Sequence, residues 1–208
     1  MNVLLACEFS GVVREAFRAR GHNAWSCDLL PTEVPGSHHK GNVLDFIRCT
    51  PYLFDPLVTW DLLVAHPPCT YLTNSGARWL YKGGRGSVRD PDRWEAMERA
   101  ADFYNALWHA QIPRKCIENP VMHGHGARLT GHCAPDIQII QPWQFGHGEI
   151  KATGLRLYNL PPLVPTKIVS GRTPRVHHAS PGPDRWKERS RTLQGIADAM
   201  ADQWGQLA

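Results

Sequence analysis

The chain has 208 residues, of which 42% are hydrophobic and 20% charged, with eight tryptophans; this composition supports one good-sized core and excludes a disordered tail. No apolar run approaches the roughly 18 residues of a membrane helix, and Met1-Asn2 leads into Val3-Leu4-Leu5 without the basic start of a signal peptide, so a cytoplasmic protein with no membrane contact is expected. The formal charge of +4 is a mild bias towards anionic partners, and six cysteines without a C-x-x-C pair read as reduced, mostly buried thiols.

In chain order, Val3–Cys7 is a strand candidate, and Gly11–Arg20 follows as a helix with Val12, Val13, Ala16 and Phe17 on one face. Ala24–Asp28 reads as a second strand, and Asp61–Ala65 is a continuous apolar run of the kind buried on both sides of a parallel sheet. Arg93–Ala110 carries the strongest helical period, in Trp94, Met97, Ala101, Tyr104 and Trp108. Lys115–Ile117 and Ile137–Ile140 supply further strands, and Leu193, Ile196, Ala197, Met200 and Trp204 trace a last amphipathic helix. Strands alternating with helices predict an α/β fold, a doubly wound and mainly parallel sheet, in a single domain over residues 1–208.

Two basic segments interrupt this pattern and read as surface loops. Residues 76–93 are rich in Gly and Arg, with five basic residues against Asp90 and Asp92, net +3. Residues 161–191 hold six of the 17 prolines and seven basic residues against Asp184 and Glu188, net +5.

Ligands of doubly wound sheets bind outside the carboxyl ends of the strands, and the unusual residues cluster there. Cys7-Glu8-Phe9-Ser10-Gly11 follows the first strand, and Asp28 ends the second. His66-Pro67-Pro68-Cys69 follows the Asp61–Ala65 run, and Glu118-Asn119-Pro120 follows Lys115–Ile117. Two prolines hold the Cys69 backbone rigid. A thiol and a carboxyl in one cleft make a nucleophile and an acid, although most isolated cysteines are inert and Glu-Asn pairs commonly cap turns.

In order, Phe9-Ser10-Gly11, Asp28, Pro67-Pro68-Cys69 and Glu118-Asn119-Pro120 resemble the cytosine-5 DNA methyltransferase family over roughly the first two thirds of the chain. Pro68-Cys69-Thr70-Tyr71-Leu72-Thr73-Asn74-Ser75-Gly76 parallels the family's Pro-Cys-Gln-x-Phe-Ser-x-x-Gly stretch, and Gln194-Gly195-Ile196 is a weaker echo. The resemblance implies a Rossmann-like methyltransferase fold using S-adenosylmethionine, with DNA as substrate. It makes Cys69 the nucleophile on cytosine C6 and Glu118 a neutral acid at N3, with Pro68 and Asn119 beside them. It places Phe9, Ser10, Gly11, Asp28, Asn42 and Pro67 at the cofactor, and Ser75, Arg78, Arg85, Lys151 and Arg156 at the substrate. Residues 76–93 become a lid over a flipped base.

The chain departs from that pattern at Val12 and Val13, where the family often has further glycines, at Pro67, and at Pro120. Only about forty residues separate Lys151 from the last helix, too few for the family's target-recognition domain, so a protein partner supplying recognition, or a smaller substrate such as RNA or a free nucleotide, stays open. Arg185-Trp186-Lys187 could hold a phosphate backbone. Three rivals are weaker. An amino-methyltransferase shares the double proline but needs Asp or Asn where His66 stands. A zinc deaminase needs a second Cys where Leu72 stands. His123, His125, His132 and Cys133 do not follow a standard zinc spacing, so no metal is expected and loop histidines facing substrate or solvent are. A degenerate methyltransferase fold that only binds nucleic acid is the non-enzymatic alternative.

Overall fold

The computed structural model describes residues 1–53, 59–83, 87–133, 137–175, 182 and 185–207. The chain runs β1 (Asn2–Ala6), α1 (Val12–Arg18), β2 (Asn23–Asp28), β3 (His38–Lys40), α2 (Val43–Leu53), β4 (Leu62–Ala65) and α3 (Asn74–Ala77). It continues through β5 (Tyr81–Lys82), β6 (Val88–Arg89), α4 (Pro91–Trp108), β7 (Arg114–Pro120), α5 (Gly124–Thr130), β8 (Ile137–Ile140), β9 (Thr153–Tyr158), α6 (Arg185–Ser190) and α7 (Gln194–Trp204).

Seven strands form one sheet in the order β3-β2-β1-β4-β7-β9-β8. Pairings from β3 to β7 are parallel, while β9 runs against both neighbours. The expected mainly parallel, doubly wound sheet is therefore present, with one reversed strand inserted near its edge. The order reverses direction between β1 and β4, which is where such sheets open a crevice for ligands.

Side-chain alternation divides the core in two. Val3, Leu5, Leu62, Val64, Cys116 and Leu155 face α1 and α7, meeting Phe17, Met200 and Trp204. Leu4, Ala6, Leu63, Ala65 and Ile117 face the other way, onto Phe46 of α2 and onto Met97, Tyr104 and Leu107 of α4. Because both faces are covered, the central strands read as unbroken apolar runs. The start of α4 is set by Asp90, whose side chain accepts the Arg93 N–H, and by Pro91 in the first turn.

Both segments expected as surface loops carry structure. The described residues of 76–93 form the end of α3, a 3-10 turn at Arg78–Leu80, the β5–β6 ribbon and the start of α4, with Leu80 buried against the core. Of residues 161–191, Leu163 is buried in the α1–α7 core, and Trp204 Nε1–H donates to the Pro161 carbonyl at 3.0 Å. Gln138 exchanges two hydrogen bonds with the Leu163 backbone, and Gln203 two with that of Val164. Backbone polar groups under a proline-rich stretch need such partners. The glycines around His125 also belong to a helix, α5, whose first turn is capped by His123 Nδ1 accepting the Gly126 N–H.

A Cβ on Gly195, at the start of α7, would lie 1.9 Å from the Phe145 carbonyl oxygen, whereas Gly171 has open space around it. Gly195→Ala is expected to lower stability by roughly 1–3 kcal/mol, and Gly171→Ala by no more than about 0.5 kcal/mol. Denaturant unfolding of the two variants checks the contrast.

Candidate active site at the carboxyl edge of the sheet

The turn after β1 is built around Glu8. Its buried carboxylate accepts the N–H groups of Val13 at 2.7 Å and Arg14 at 3.3 Å, satisfying donors that the first turn of α1 leaves free. Burial raises the Glu8 pKa, against the opposing pull of His66 and these N–H groups. Ser10 Oγ donates to Glu8 Oε1 and accepts the Val12 N–H, both at 3.4 Å. Gly11 sits at φ 75°, and a Cβ there would come within 2.9 Å of the Arg14 guanidinium. Phe9 is buried and packs against Trp186 at a centroid distance of 6.0 Å. Phe9, Ser10 and Gly11, expected to touch a cofactor, instead build the turn and do not line the cavity beside it.

That cavity, about 160 Å³, is lined by Cys7, Cys27, Asp28, Asn42, Pro68 and Phe103 among others. Asp28 Oδ1 accepts the Leu30 N–H at 2.9 Å, and Asn42 Oδ1 accepts the Leu44 N–H at the same distance, which aims both side chains from the ends of neighbouring strands. Burial raises the Asp28 pKa, with the Leu30 N–H and His38 opposing it. Of the two prolines, exposed Pro68 lines this cavity, whereas Pro67, the one expected at the cofactor, is buried and does not.

Register brings the next group together. Ala65 pairs with Ile117, so one step further along the strands His66 lies opposite Glu118. Alternation turns both towards the α7 face, and His66 Nδ1 stands 3.2 Å from Glu118 Oε2. They line a second, much smaller cavity, about 20 Å³, with Lys151, Thr153 and Arg191. Lys151 is tied down by donating from Nζ to the Arg189 carbonyl at 2.8 Å.

Burial alone would raise the Glu118 pKa, but the His66 hydrogen bond and the charges of Lys151, His66 and His132 outweigh it and hold it below the usual carboxylate value. Cys69 behaves oppositely. Burial and then the Glu118 charge push its thiol up, and Lys151 and Arg189 only partly offset them. The resting pair is therefore a thiol and a carboxylate, the reverse of the neutral acid expected at Glu118. Cys69 opens a tight turn, its carbonyl accepting the N–H groups of Leu72 and Thr73, and Gly76 closes over it: a Cβ there would lie 2.4 Å from the Thr70 carbonyl oxygen.

Several expected residues lie elsewhere. Asn119 points to the face opposite Glu118, fully buried, its side-chain nitrogen and oxygen both without a hydrogen-bond partner among the described residues. Arg156 pairs with Ile117 and shares that face; it donates to the Thr130 carbonyl at 2.6 Å and stacks 3.9 Å over Trp108, so it braces the fold where a substrate contact was expected. Ser75 is exposed on α3, bonded to Thr73 at 3.0 Å, and Arg78 is exposed over the Trp79 ring. Arg85 lies outside the described residues. His123 and His132 are buried within the fold, not turned to solvent, His132 bonding the Tyr104 hydroxyl at 2.6 Å. Among the described residues no three His, Cys, Asp or Glu side chains converge to hold a metal. His66 and Glu8 were not foreseen as site residues. The phase Leu62-Val64-His66 carried the signal for His66, and the double proline drew attention away from it.

No family model and no curated protein sequence matches the chain. Among solved structures, the chain is similar to one described as a DNA modification methyltransferase encoded within an E. coli prophage, with a TM-score of 0.51 at 13% identity. The match covers 81% of this chain and 52% of that one. The likeness is one of fold, a mixed α/β chain around a large, mainly parallel central sheet. A second structure, the methyltransferase EhMeth of Entamoeba histolytica, aligns with a TM-score of 0.45 at 15% identity, over 81% of this chain and 57% of its own. The chain thus spans little more than half the length of the structures it matches.

One prediction concerns acid stability. Burial, then Arg156, lower the His132 pKa to about 4, with Glu118 opposing them. The unfolded chain takes up this proton first, near pH 6.5, so the stabilisation is complete above that pH and lost as pH falls towards 4, by about 3 kcal/mol. His132→Gln is expected to flatten the fall in melting temperature between pH 6.5 and 4 relative to wild type.

Proposed function

We propose that the protein transfers a methyl group from S-adenosylmethionine to C5 of cytosine in DNA, through a covalent bond to Cys69. The observation that carries this reading is the Cys69–Glu118 pair: a thiol and a carboxylate at one strand edge, close enough that the Glu118 charge shifts the thiol. The cavity beside them supports the cofactor. Asp28 has one oxygen on the Leu30 N–H and a second for ribose hydroxyls, Asn42 stands at the end of the next strand for an adenine edge, and Pro68 connects this cavity to the Cys69 turn. S-adenosylmethionine, when bound, supplies the methyl group.

The remaining chemistry belongs to the chain. Cys69 loses its proton and its sulfur bonds to C6, moving the C5=C6 electron pair so that C5 becomes nucleophilic. Glu118 in its protonated form hydrogen-bonds N3 and stabilises the negative charge the ring gains. After methylation, loss of the C5 proton restores the double bond and expels the sulfur. A base stacked in a duplex exposes neither ring face, so the target must leave the stack. Arg78, Lys82, Arg89 and Arg93, on and beside the ribbon that follows the Cys69 turn, supply positive charge for the phosphates. Target choice in this reading comes from a protein partner, and the site of action is the cytoplasm.

DNA containing 5-fluorocytosine tests the reading, because fluorine cannot leave as a proton does. With S-adenosylmethionine, wild type is expected to form an adduct that survives denaturation, and Cys69→Ala none. Cofactor binding without an adduct would reject cytosine C5 chemistry on DNA. Asp28→Asn, which keeps the Leu30 cap, is expected to weaken S-adenosylmethionine binding roughly tenfold or more by calorimetry.

A further inference from the structure

Elsewhere on the surface, Arg48, Arg99 and Arg191 each close on a carboxylate, Asp45, Glu95 and Glu33. Around the ribbon that follows the Cys69 turn, arginines lie on aromatic rings instead. The guanidinium of Arg93 sits 4.3 Å over Tyr71, that of Arg89 4.2 Å over Trp94, and that of Arg78 4.4 Å over Trp79. None of the three forms an ion pair among the described residues. Two of these stacks are continuous with the Cys69 turn: Tyr71 lies inside it, and Arg93 and Trp94 are neighbours on α4. Tyr81 pairs with Arg89 across the ribbon, so both side chains share one face, and Tyr81 meets the Trp94 ring edge-on at 6.1 Å. Trp94 Nε1–H donates to the Leu80 carbonyl at 2.9 Å, which ties the ribbon to α4. The third stack stands at the foot of the ribbon, where Trp79 is 56% exposed and Arg78 is exposed over it.

We propose that this face is a binding platform for single-stranded DNA, on which unpaired nucleotides beside the target base stack against Trp79 and the outer planes of Arg78 and Arg89. Flat rings capped by flat cations match the faces of nucleobases, while the guanidinium N–H edges reach phosphates. Phosphate binding alone would need the charge and not the rings. A duplex keeps its base faces stacked on one another, so only unpaired nucleotides offer them. The inference deepens the cytosine reading by naming the strand state of its substrate, and it rests on that reading for DNA as the polymer. The stacking itself needs no chemistry at Cys69.

The platform is held in a fixed place relative to Cys69. Leu72, next to Tyr71, and Leu80, next to Trp79, are both buried in the core that meets α4. Rings and cations already stacked in the free protein lose little freedom when a strand arrives. Asp90, at the end of the ribbon, is spent on the Arg93 backbone N–H at the start of α4, which leaves the guanidinium groups their charge. Lys82, exposed beyond Tyr81 on the ribbon, adds a further cation for the backbone of the strand.

Fluorescence anisotropy with a labelled thymidine homopolymer, alone or paired with its adenosine complement, tests the platform without cytosine and so without chemistry at Cys69. Wild type is expected to bind the single strand about tenfold more tightly than the duplex. Trp79→Ala is expected to weaken single-strand binding about tenfold, and Trp79→Phe, which keeps a ring, by much less. Arg78→Gln and Arg89→Gln are each expected to lower the slope of log affinity against log salt by about 0.7. All four positions changed are exposed or at the ribbon's foot, and unchanged melting temperatures report intact folding. Equal or tighter binding of the duplex, or wild-type affinity in both Trp79→Ala and Arg89→Gln, would overturn the platform. Tighter binding of a uridine homopolymer would overturn its assignment to DNA. The same proteins are then given 5-fluorocytosine DNA. Single-strand binding that depends on Trp79, with no covalent capture, would leave the platform standing and reject the cytosine reading. Capture from duplex DNA at the wild-type rate in Trp79→Ala would do the reverse.

Discussion

Parallel pairing of Leu62–Ala65 with Arg114–Ile117 sets the phase of two strands, and His66 and Glu118 take their direction from that phase. A slip of β4 by one residue would turn His66 away from Glu118 and bring Pro67 to the α7 side. Such a slip would also exchange Leu62 and Val64, which meet α1 and α7, with Leu63 and Ala65, which meet α2 and α4. Core packing therefore holds the register on which the chemistry depends, and the site inherits its accuracy from residues that never touch it.

Charge is the second constraint. Three carboxylates, Glu8, Asp28 and Glu118, end up partly or wholly buried around one imidazole, an arrangement that is costly unless each is given donors. The fold supplies them locally: the first turn of α1 for Glu8, the Leu30 N–H for Asp28, and His66 for Glu118, which the charge of Lys151 also favours. Glu118 is thereby held charged at rest, and burial, then the Glu118 charge, keeps Cys69 protonated.

The sequence announces the frame of this arrangement and not its facing. Apolar runs at Val3–Leu5 and Leu62–Ala65 are legible because both faces of those strands are buried, and the long helix reads from Met97, Ala101 and Tyr104. Cys69, Glu118 and Asp28 stand out because they follow such runs, and Asn42 only through the family resemblance. Whether a neighbour such as Asn119 or Arg156 joins them depends on which face it takes, a property of register that no local motif carries. β9 escaped notice because Gly154 and Arg156 interrupt its apolar pattern. α5 escaped because Gly124, Gly126 and Gly131 look like a loop, although Gly131 at φ 65° is its C-terminal cap and Gly126 allows the approach of the Leu72 backbone.

The central claim is that Glu118 is a carboxylate in the free protein and an acid once cytosine is bound to Cys69. Isotope-edited infrared spectroscopy of protein labelled at its glutamate carboxyl groups, with Glu118→Gln to assign the band, measures this directly. The expected result is an ionised Glu118 at neutral pH in the free protein and a new protonated carboxyl band in the 5-fluorocytosine adduct, absent from the variant. A protonated Glu118 band already present in the free protein at neutral pH, or a carboxylate persisting in the adduct, would contradict it.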